Sequence, residues 1–490
     1  MSKKIVVIGS GFSSLAAATT LANQGQDVVI LEKNSQTGGR ARQFAASGFT
    51  FDMGPSWYWM PDVFEAYFEK FNKKVSDYYE LHRLDPSYQV FFGENDAIDI
   101  PAAYAELQDL FEKLEPGSSK ALDKFLAEAK YKYEVGMNDL VHKPSRSILE
   151  FAQWRVISGV FRMQLFNSLS SHVKKHFKNE KLIQLLEFPV LFLGAKPQET
   201  PALYSLMNYA DISLGTWYPM GGMHKIVEAM TALAEEKGVK IELDCEVKKL
   251  EAENGKVKKA ITNKGGFSAD YFISGADYHH TDKHLLDKAF HNYSAKYWDS
   301  RKMAPSSLLF YLGVNKKLKN LRHHNLFFDE SFDQHAIEIY DDPKWPSKPL
   351  FYVCVPSLTD PSVAPEGTEN VFVLIPLAPD LKDDDATREK YYDKVMHRLE
   401  KLSGQKIREH VIYKRSYAHK DFTSDYHAFK GNAYGLANTL KQTAILKPSI
   451  RNKKLSNLYY TGQLTTPGPG VPPSLISGQV VAKEVLKTLS

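Results

Sequence analysis

The chain has 490 residues, 43% of them hydrophobic and 24% charged, with a net charge of +4. That make-up belongs to a globular protein of two or three domains, and the charge is too balanced to hold nucleic acid by bulk electrostatics. Two cysteines, Cys245 and Cys354, exclude a disulfide framework, and no stretch approaches 18 consecutive apolar residues, so no transmembrane helix is expected. Both cysteines lie in strand-like runs and read as buried free thiols of a reducing compartment.

The first segment, Lys4 to Lys33, reads as strand, glycine turn, helix and strand. Ile5 to Ile8 is a short apolar run suited to burial on both faces. Gly9-Ser10-Gly11 then opens a helix, and a second apolar strand, Val28 to Leu31, ends at Glu32. In such a unit the glycines let backbone amides approach a pyrophosphate at a helix N-terminus, and the acidic residue about 20 positions on meets a ribose. The third glycine of the fingerprint is replaced by Ser14. Taken alone this unit is compatible with NAD or FAD. A Gly38-Gly39-Arg40 loop follows, suited to passing close to a diphosphate while a guanidinium neutralises it. Phe49 to Asp52 reads as a strand delivering the tight turn Gly54-Pro55-Ser56.

Further on, Val63, Phe64, Tyr67, Phe68 and Phe71 recur at helical spacing. Residues 145–180 interleave Val156, Ile157, Val160, Phe161, Leu165, Phe166, Leu169 and Val173 with Arg155, Arg162, Lys174, Lys175 and Lys178, after Trp154. That pattern suits an interfacial amphipathic helix, and equally a core-facing helix with solvated charges. The nearly uncharged stretch from Pro189 to Tyr204 suits either the wall of an apolar cavity or ordinary core. Pro219-Met220-Gly221-Gly222 leads into a helix, and the strands up to Ser274 precede Asp277. Strand-like runs at Ser307–Leu312 and Val371–Ile375 suggest a second sheet, and Asp380 to Asp385 an exposed acidic loop. At the C-terminus a buried strand enters Gly462, then a Gly/Pro loop through Gly470, Val471 and Pro472, with Ser474 as the expected cap of a helix from Leu475 to Leu486. His279-His280 and His323-His324 read as exposed loop histidines, and no metal site is expected.

The order Gly9/Gly11, Glu32, Gly38-Gly39-Arg40 and Asp52-x-Gly54-Pro55 resembles the flavin-containing amine oxidase and desaturase superfamily. Gly431-Asn432-Ala433-Tyr434-Gly435, Asp52-Met53-Gly54-Pro55-Ser56 and the terminal Pro-Gly-x-Gly-x-Pro-Pro loop narrow this to a resemblance to bacterial carotenoid desaturases, the lycopene-forming phytoene desaturases above all.

The resemblance implies an α/β protein with FAD as cofactor. Its Rossmann-like FAD-binding domain is discontinuous over 1–80, 205–280 and 431–490. A helical substrate- and membrane-associating region spans 81–204, and a second, mixed-sheet substrate domain spans 281–430. By the same resemblance, FAD is held by Gly9, Gly11, Phe12, Ser13, Ser14, Glu32, Lys33, Gly39, Arg40, Gly54, Pro55, Ser56, the backbone of Val247, Gly462, Gly470, Val471 and Pro472. It implies conversion of phytoene to lycopene by hydride transfer to the flavin, with oxygen or a quinone as electron acceptor. The substrate is then a long apolar isoprenoid, drawn from a membrane that a cytoplasmic enzyme touches peripherally, and nucleic acid plays no part. The readings that remain open are a later-pathway 3,4-desaturase, a carotenoid isomerase, an amine oxidase and a non-catalytic isoprenoid-binding protein. No residue type or spacing points to a catalytic acid or base.

Overall fold

A computed structural model describes residues 2–147, 150, 167–194, 196–439 and 442–489. Lys4–Ile8 is the middle strand of a five-stranded parallel sheet. Asp27–Leu31 and Tyr271–Ser274 flank it, and Lys240–Glu242 and Leu458–Tyr460 form the edges. Ile5, Val6, Val7 and Ile8 are all buried, as a strand covered on both faces requires. The helix Phe12–Ala22 packs between Val471–Leu489 and His224–Glu236, so the first and last helices of the chain meet on one face of the sheet. Their crossing is close because position 478 is glycine: a Cβ there would lie 2.1 Å from the Ser13 carbonyl oxygen.

The second sheet has seven strands, in the order Val411–Tyr417, Ser306–Val314, Glu369–Leu377, Phe351–Cys354, His324–Phe327, Tyr88–Gly93, Asp96–Ile100. The pairing is antiparallel except between Tyr88–Gly93 and His324–Phe327, so the sheet is mixed. Its central strands are apolar on both faces. Leu308, Phe310 and Leu312 turn to one side, against Tyr392, Val395 and Leu399 of the helix Asp385–Ser403. Leu309 and Tyr311 turn to the other side, toward the main core of the nucleotide unit. A three-stranded antiparallel meander, Val247–Glu253, Lys256–Thr262 and Gly265–Ser268, attaches beside the first sheet.

Several expectations are corrected. The segment from 81 to 100, grouped with a helical region, is β-structure: Leu81–Arg83 pairs with Trp217–Pro219, and the next two strands extend the second sheet. Tyr88 and Val90 alternate with polar or opposite-facing neighbours at period two, the spacing that a helical grouping of the region overlooks. The acidic loop is only partly solvated. Asp383 is buried and accepts from Arg388 Nε at 2.7 Å and Nη2 at 2.6 Å, while Asp384 caps the helix that follows.

Of the basic amphipathic segment, Trp154, Arg155, Val156, Ile157, Val160, Phe161, Arg162, Leu165 and Phe166 lie outside the described residues. In its described part, Leu169 and Val173 are buried while Lys174, Lys175 and Lys178 are exposed, a core-facing helix with solvated charges. Among the described residues no helix is long and apolar enough to cross a membrane.

Candidate active site

The carboxyl ends of Lys4–Ile8 and Asp27–Leu31 open into a long cleft between the two sheets, where ligands of parallel α/β units bind. Gly9, Gly11, Phe12, Ser13, Glu32, Lys33, Gly39, Arg40, Gly54, Pro55, Ser56, Val247, Gly462, Gly470, Val471 and Pro472 all line it. Ser14 does not. It is fully buried under the cleft, and its role is packing: a Cβ on Gly275 would lie 2.0 Å from Ser14 Oγ. The close approach of helix to sheet that the missing glycine would provide is supplied instead by a glycine on the neighbouring strand end.

Three features make this end of the cleft a dinucleotide cradle. Gly11 is the N-cap of Phe12–Ala22 and offers no side-chain cap, so the helix presents amides and the positive end of its dipole. Arg40 is half-buried against Tyr426, its guanidinium carbon 5.1 Å from the ring centre, and its Nε is buried with no partner. Burial lowers its pKa, with Asp277 and Tyr426 acting in the opposite direction. An orphaned guanidinium N–H in the same cleft as an uncapped helix start is what a diphosphate would satisfy. The third feature is Glu32, whose Oε2 accepts from Ser10 N (2.8 Å) and Oγ (2.6 Å) and whose Oε1 accepts from Asn34 N (2.8 Å) and Nδ2 (2.9 Å). The two backbone donors orient the carboxylate, while the Ser10 and Asn34 side chains can give way to ribose hydroxyls. The residues present therefore fit FAD.

At the other terminus of the chain, the final helix starts at Val471, four residues earlier than expected. Pro472 and Pro473 sit in its first turn, where a missing N–H costs nothing, and Ser474 N donates to Gly470 O instead of capping. Gly470, Val471 and Pro472 consequently present a helix start to the cleft.

Sequence reasoning missed a strap over the Glu32 end of the cleft. The helix His419–Tyr426 and His427 come from the second-sheet region, which carries no nucleotide signature. Asp425 accepts from Arg42 at 2.6 Å and from Tyr417 OH at 3.0 Å, and Lys33 donates to Ser424 O at 2.5 Å. His427 Nε2 lies 3.1 Å from Glu246 Oε1, and its ring stacks on His280 at 3.9 Å. Desolvation, helped by His427, lowers the pKa of His280 to about 3, so the stack is neutral on that side.

Beyond Ser56 the cleft becomes apolar. Trp57, Trp59, Phe188, Leu326, Phe328, Phe332, Ile339 and Leu374 make most of its wall. Phe188 and Met207, on either side of the nearly uncharged 189–204 stretch, line the cleft. Among the described residues this half carries no Asp, Glu, Lys or Arg; its polar groups are Ser307, His335, Tyr340, Tyr352 and Tyr434. His335 is held neutral: burial lowers its pKa to about 4, Nδ1 accepts from Leu350 N, and Nε2 donates to Pro376 O. A water-poor, uncharged wall suits a hydrocarbon and leaves a protonated amine without a counter-charge.

His323 and His324 are buried, against the expectation of exposed loop histidines, because His324 opens a strand inside the second sheet and His323 directly precedes it. Cys354 pairs with His324 across the ladder, and both cysteines are buried free thiols.

The model of the family described as "Flavin containing amine oxidoreductase" matches residues 12–486. The chain belongs to this family. It is 40% identical over 487 residues to a carotenoid 3,4-desaturase of Haloarcula japonica, covering 99% of this chain and 98% of that protein. With a zeta-carotene-forming phytoene desaturase of Myxococcus xanthus it shares 30% over 490 residues, covering 99% and 94%. A solved oxidoreductase from Methanosarcina mazei superposes with a TM-score of 0.67 at 18% identity, over 98% of this chain and all of the other, which shows the common fold. The chain is thus a carotenoid desaturase of the flavin amine oxidase superfamily, an FAD-dependent oxidoreductase acting on CH–CH bonds.

Proposed function

We propose that the chain is a later-pathway desaturase, introducing a 3,4 double bond into an acyclic, already conjugated carotenoid, rather than converting phytoene to lycopene. The observation that carries this reading is the 40% identity to a 3,4-desaturase along the whole chain, against 30% to the phytoene enzyme at like coverage. The geometry supports it to the extent that a long polyene needs a long apolar cleft meeting the cofactor cradle near Ser56 and Trp57.

FAD held by the Gly9–Gly11 turn, Glu32 and Arg40 would supply the hydride acceptor for oxidation at an allylic carbon. The chain's part is positional. Aromatic walls would hold the polyene extended, and the helix that starts at Val471 would turn the positive end of its dipole toward the cleft, where it favours negative charge. The proton leaving the neighbouring carbon finds only neutral groups in the described wall, and both nitrogens of His335 are already hydrogen-bonded, so it departs to water, directly or relayed through a hydroxyl. The substrate's insolubility supports uptake from a bilayer by a peripherally attached, cytoplasmic enzyme, with oxygen or a quinone taking the electrons.

The test offers the FAD-loaded enzyme phytoene and lycopene in separate liposome assays and separates the products by chromatography. The expected result is added conjugation on the coloured substrate alone. Conversion of colourless phytoene to coloured products, with lycopene untouched, would return the function to the earlier step.

A further inference from the structure

Behind the cleft wall lies a second cluster that flavin chemistry does not use. His323, His324 and Cys354 each offer one ligand atom, and these atoms all lie within 4.8 Å of one another. The three residues are 5%, 0% and 4% exposed, so the cluster is withdrawn from solvent.

The hydrogen bonding of the two imidazoles is lopsided in the same way. His323 Nδ1 pairs with Thr359 Oγ1 at 2.8 Å, and His324 Nδ1 pairs with Tyr352 OH at 2.6 Å. Tyr352 in turn donates to Ser56 Oγ at 3.0 Å, which leaves its oxygen to accept from His324 Nδ1–H. Both Nε2 atoms are buried with no partner. A buried, unsatisfied N–H is costly, so the proton on each ring belongs on Nδ1 and each Nε2 carries a bare lone pair. An imidazole fixed through one nitrogen by an oxygen, with the other nitrogen free, is the form in which histidine binds a metal.

A small enclosed cavity adjoins the cluster, lined by His323, Cys354, Asp52 and Asn370. Asn370 is 1% exposed, and its Oδ1 is a further buried acceptor without a partner. The unsatisfied atoms here are all of one kind: two imidazole lone pairs and an amide oxygen, beside the buried free thiol of Cys354. What they lack is a cation.

We propose that His323, His324 and Cys354 bind one zinc-class divalent cation, with an oxygen donor from the adjoining cavity completing four-coordination. Two nitrogens and a thiolate are a borderline-soft set suited to zinc. Binding releases the Cys354 thiol proton to solvent and forms the Zn–S bond, with no change of oxidation state. Zn–N and Zn–S bonds of about 2.0–2.1 and 2.3 Å set a ligand–ligand edge of about 3.3–3.6 Å, so donor atoms that lie within 4.8 Å of one another close to that edge on binding. The ion would be structural. It would tie His324–Phe327 to Phe351–Cys354 and fix the ring of His324, which stacks on the cleft residue Trp57 at 4.0 Å.

The test uses full-length, tag-free holoenzyme, incubated with an equivalent of zinc sulfate and desalted. Elemental analysis should find one zinc per chain, and zinc-edge X-ray absorption should show one sulfur and two imidazole nitrogens. Thr359→Val, which removes only the oxygen partner of His323 Nδ1, should weaken zinc binding about 10–100-fold while the FAD spectrum stays unchanged. Cys354→Ser should delete the sulfur scatterer. A desalted wild-type protein holding no stoichiometric zinc, or zinc without a sulfur ligand, overturns the proposal and leaves the cavity to a buried water.

Discussion

Arg40 shows how a single residue joins sequence, packing and cofactor. Its ring contact with Tyr426 and its 3.4 Å bond to Asn432 O hold the guanidinium in place but leave Nε orphaned. Hydrogen bonds to charged groups are worth about 1.5–3 kcal/mol. Arg40→Ala should therefore weaken FAD binding about 10–150-fold in a fluorescence titration of deflavinated protein. Arg40→Lys should recover only part of the loss, because an ammonium cannot reproduce the planar fork. Asp211 makes a different kind of residue-level case. It is buried and accepts from Tyr88 OH (2.8 Å) and Thr216 Oγ1 (3.2 Å), and desolvation raises its pKa to about 7. A carboxyl raised in the folded state is a liability that is absent at low pH, grows above the unfolded pKa, and is complete above the folded one. From this group the protein should be roughly 2 kcal/mol less stable at pH 7.5 than at pH 5.5. Denaturant unfolding at the two pH values should show that slope in the wild type, and Asp211→Asn should flatten it.

At the scale of elements, the departure at Ser14 is resolved by its partner strand. Because a Cβ on Gly275 would sit 2.0 Å from Ser14 Oγ, Gly275→Ala should overpack the helix–sheet contact and cost about 1–3 kcal/mol. Ser14→Gly in the same chain should restore most of it, and a thermal-melt double-mutant cycle measures the coupling. If the two changes were additive, the contact would not be the reason for either glycine or serine. This pair also marks where sequence reading stops. The strand–turn–helix–strand unit was legible because period, turn and acidic residue are local signals, and Ser14 was visible as a broken pattern. Gly275 was not, since its purpose exists only once two segments 261 residues apart pack together. The same holds for Asp425, Tyr426 and His427, which reach the cleft from a region with no nucleotide motif. His323 and His324 were misjudged because a histidine pair carries no burial signal of its own; the flanking apolar run, Leu326-Phe327-Phe328, was the available clue.

On the scale of the whole molecule, the cleft is an assembly of distant segments. Its cofactor end takes residues from 8–60, from 245–280, from 425–427 and from 462–474, so no contiguous piece of chain contains the cradle. The strap ties the two sheets across it through Arg42–Asp425 and Lys33–Ser424, and Tyr311 of the second sheet donates to Met53 O at 2.7 Å beside the Gly54 turn. One apolar core runs from Val7 and Leu15 through Phe51 and Tyr67 to Tyr311 and Phe372, joining both sheets. A ligand that binds only this assembled form stabilises it by mass action, about 2.7 kcal/mol at 100 times its Kd. Adding FAD to the deflavinated protein should consequently raise one cooperative transition as a unit, with the near-ultraviolet signal of the second sheet's aromatics and the far-ultraviolet signal melting together. Two separate transitions, with FAD moving only the first, would mean that the nucleotide unit holds its cofactor without the strap. In that event Asp425→Ala, which breaks the Arg42 bridge, would leave FAD affinity unchanged; with a single transition it should weaken FAD binding measurably in the same titration.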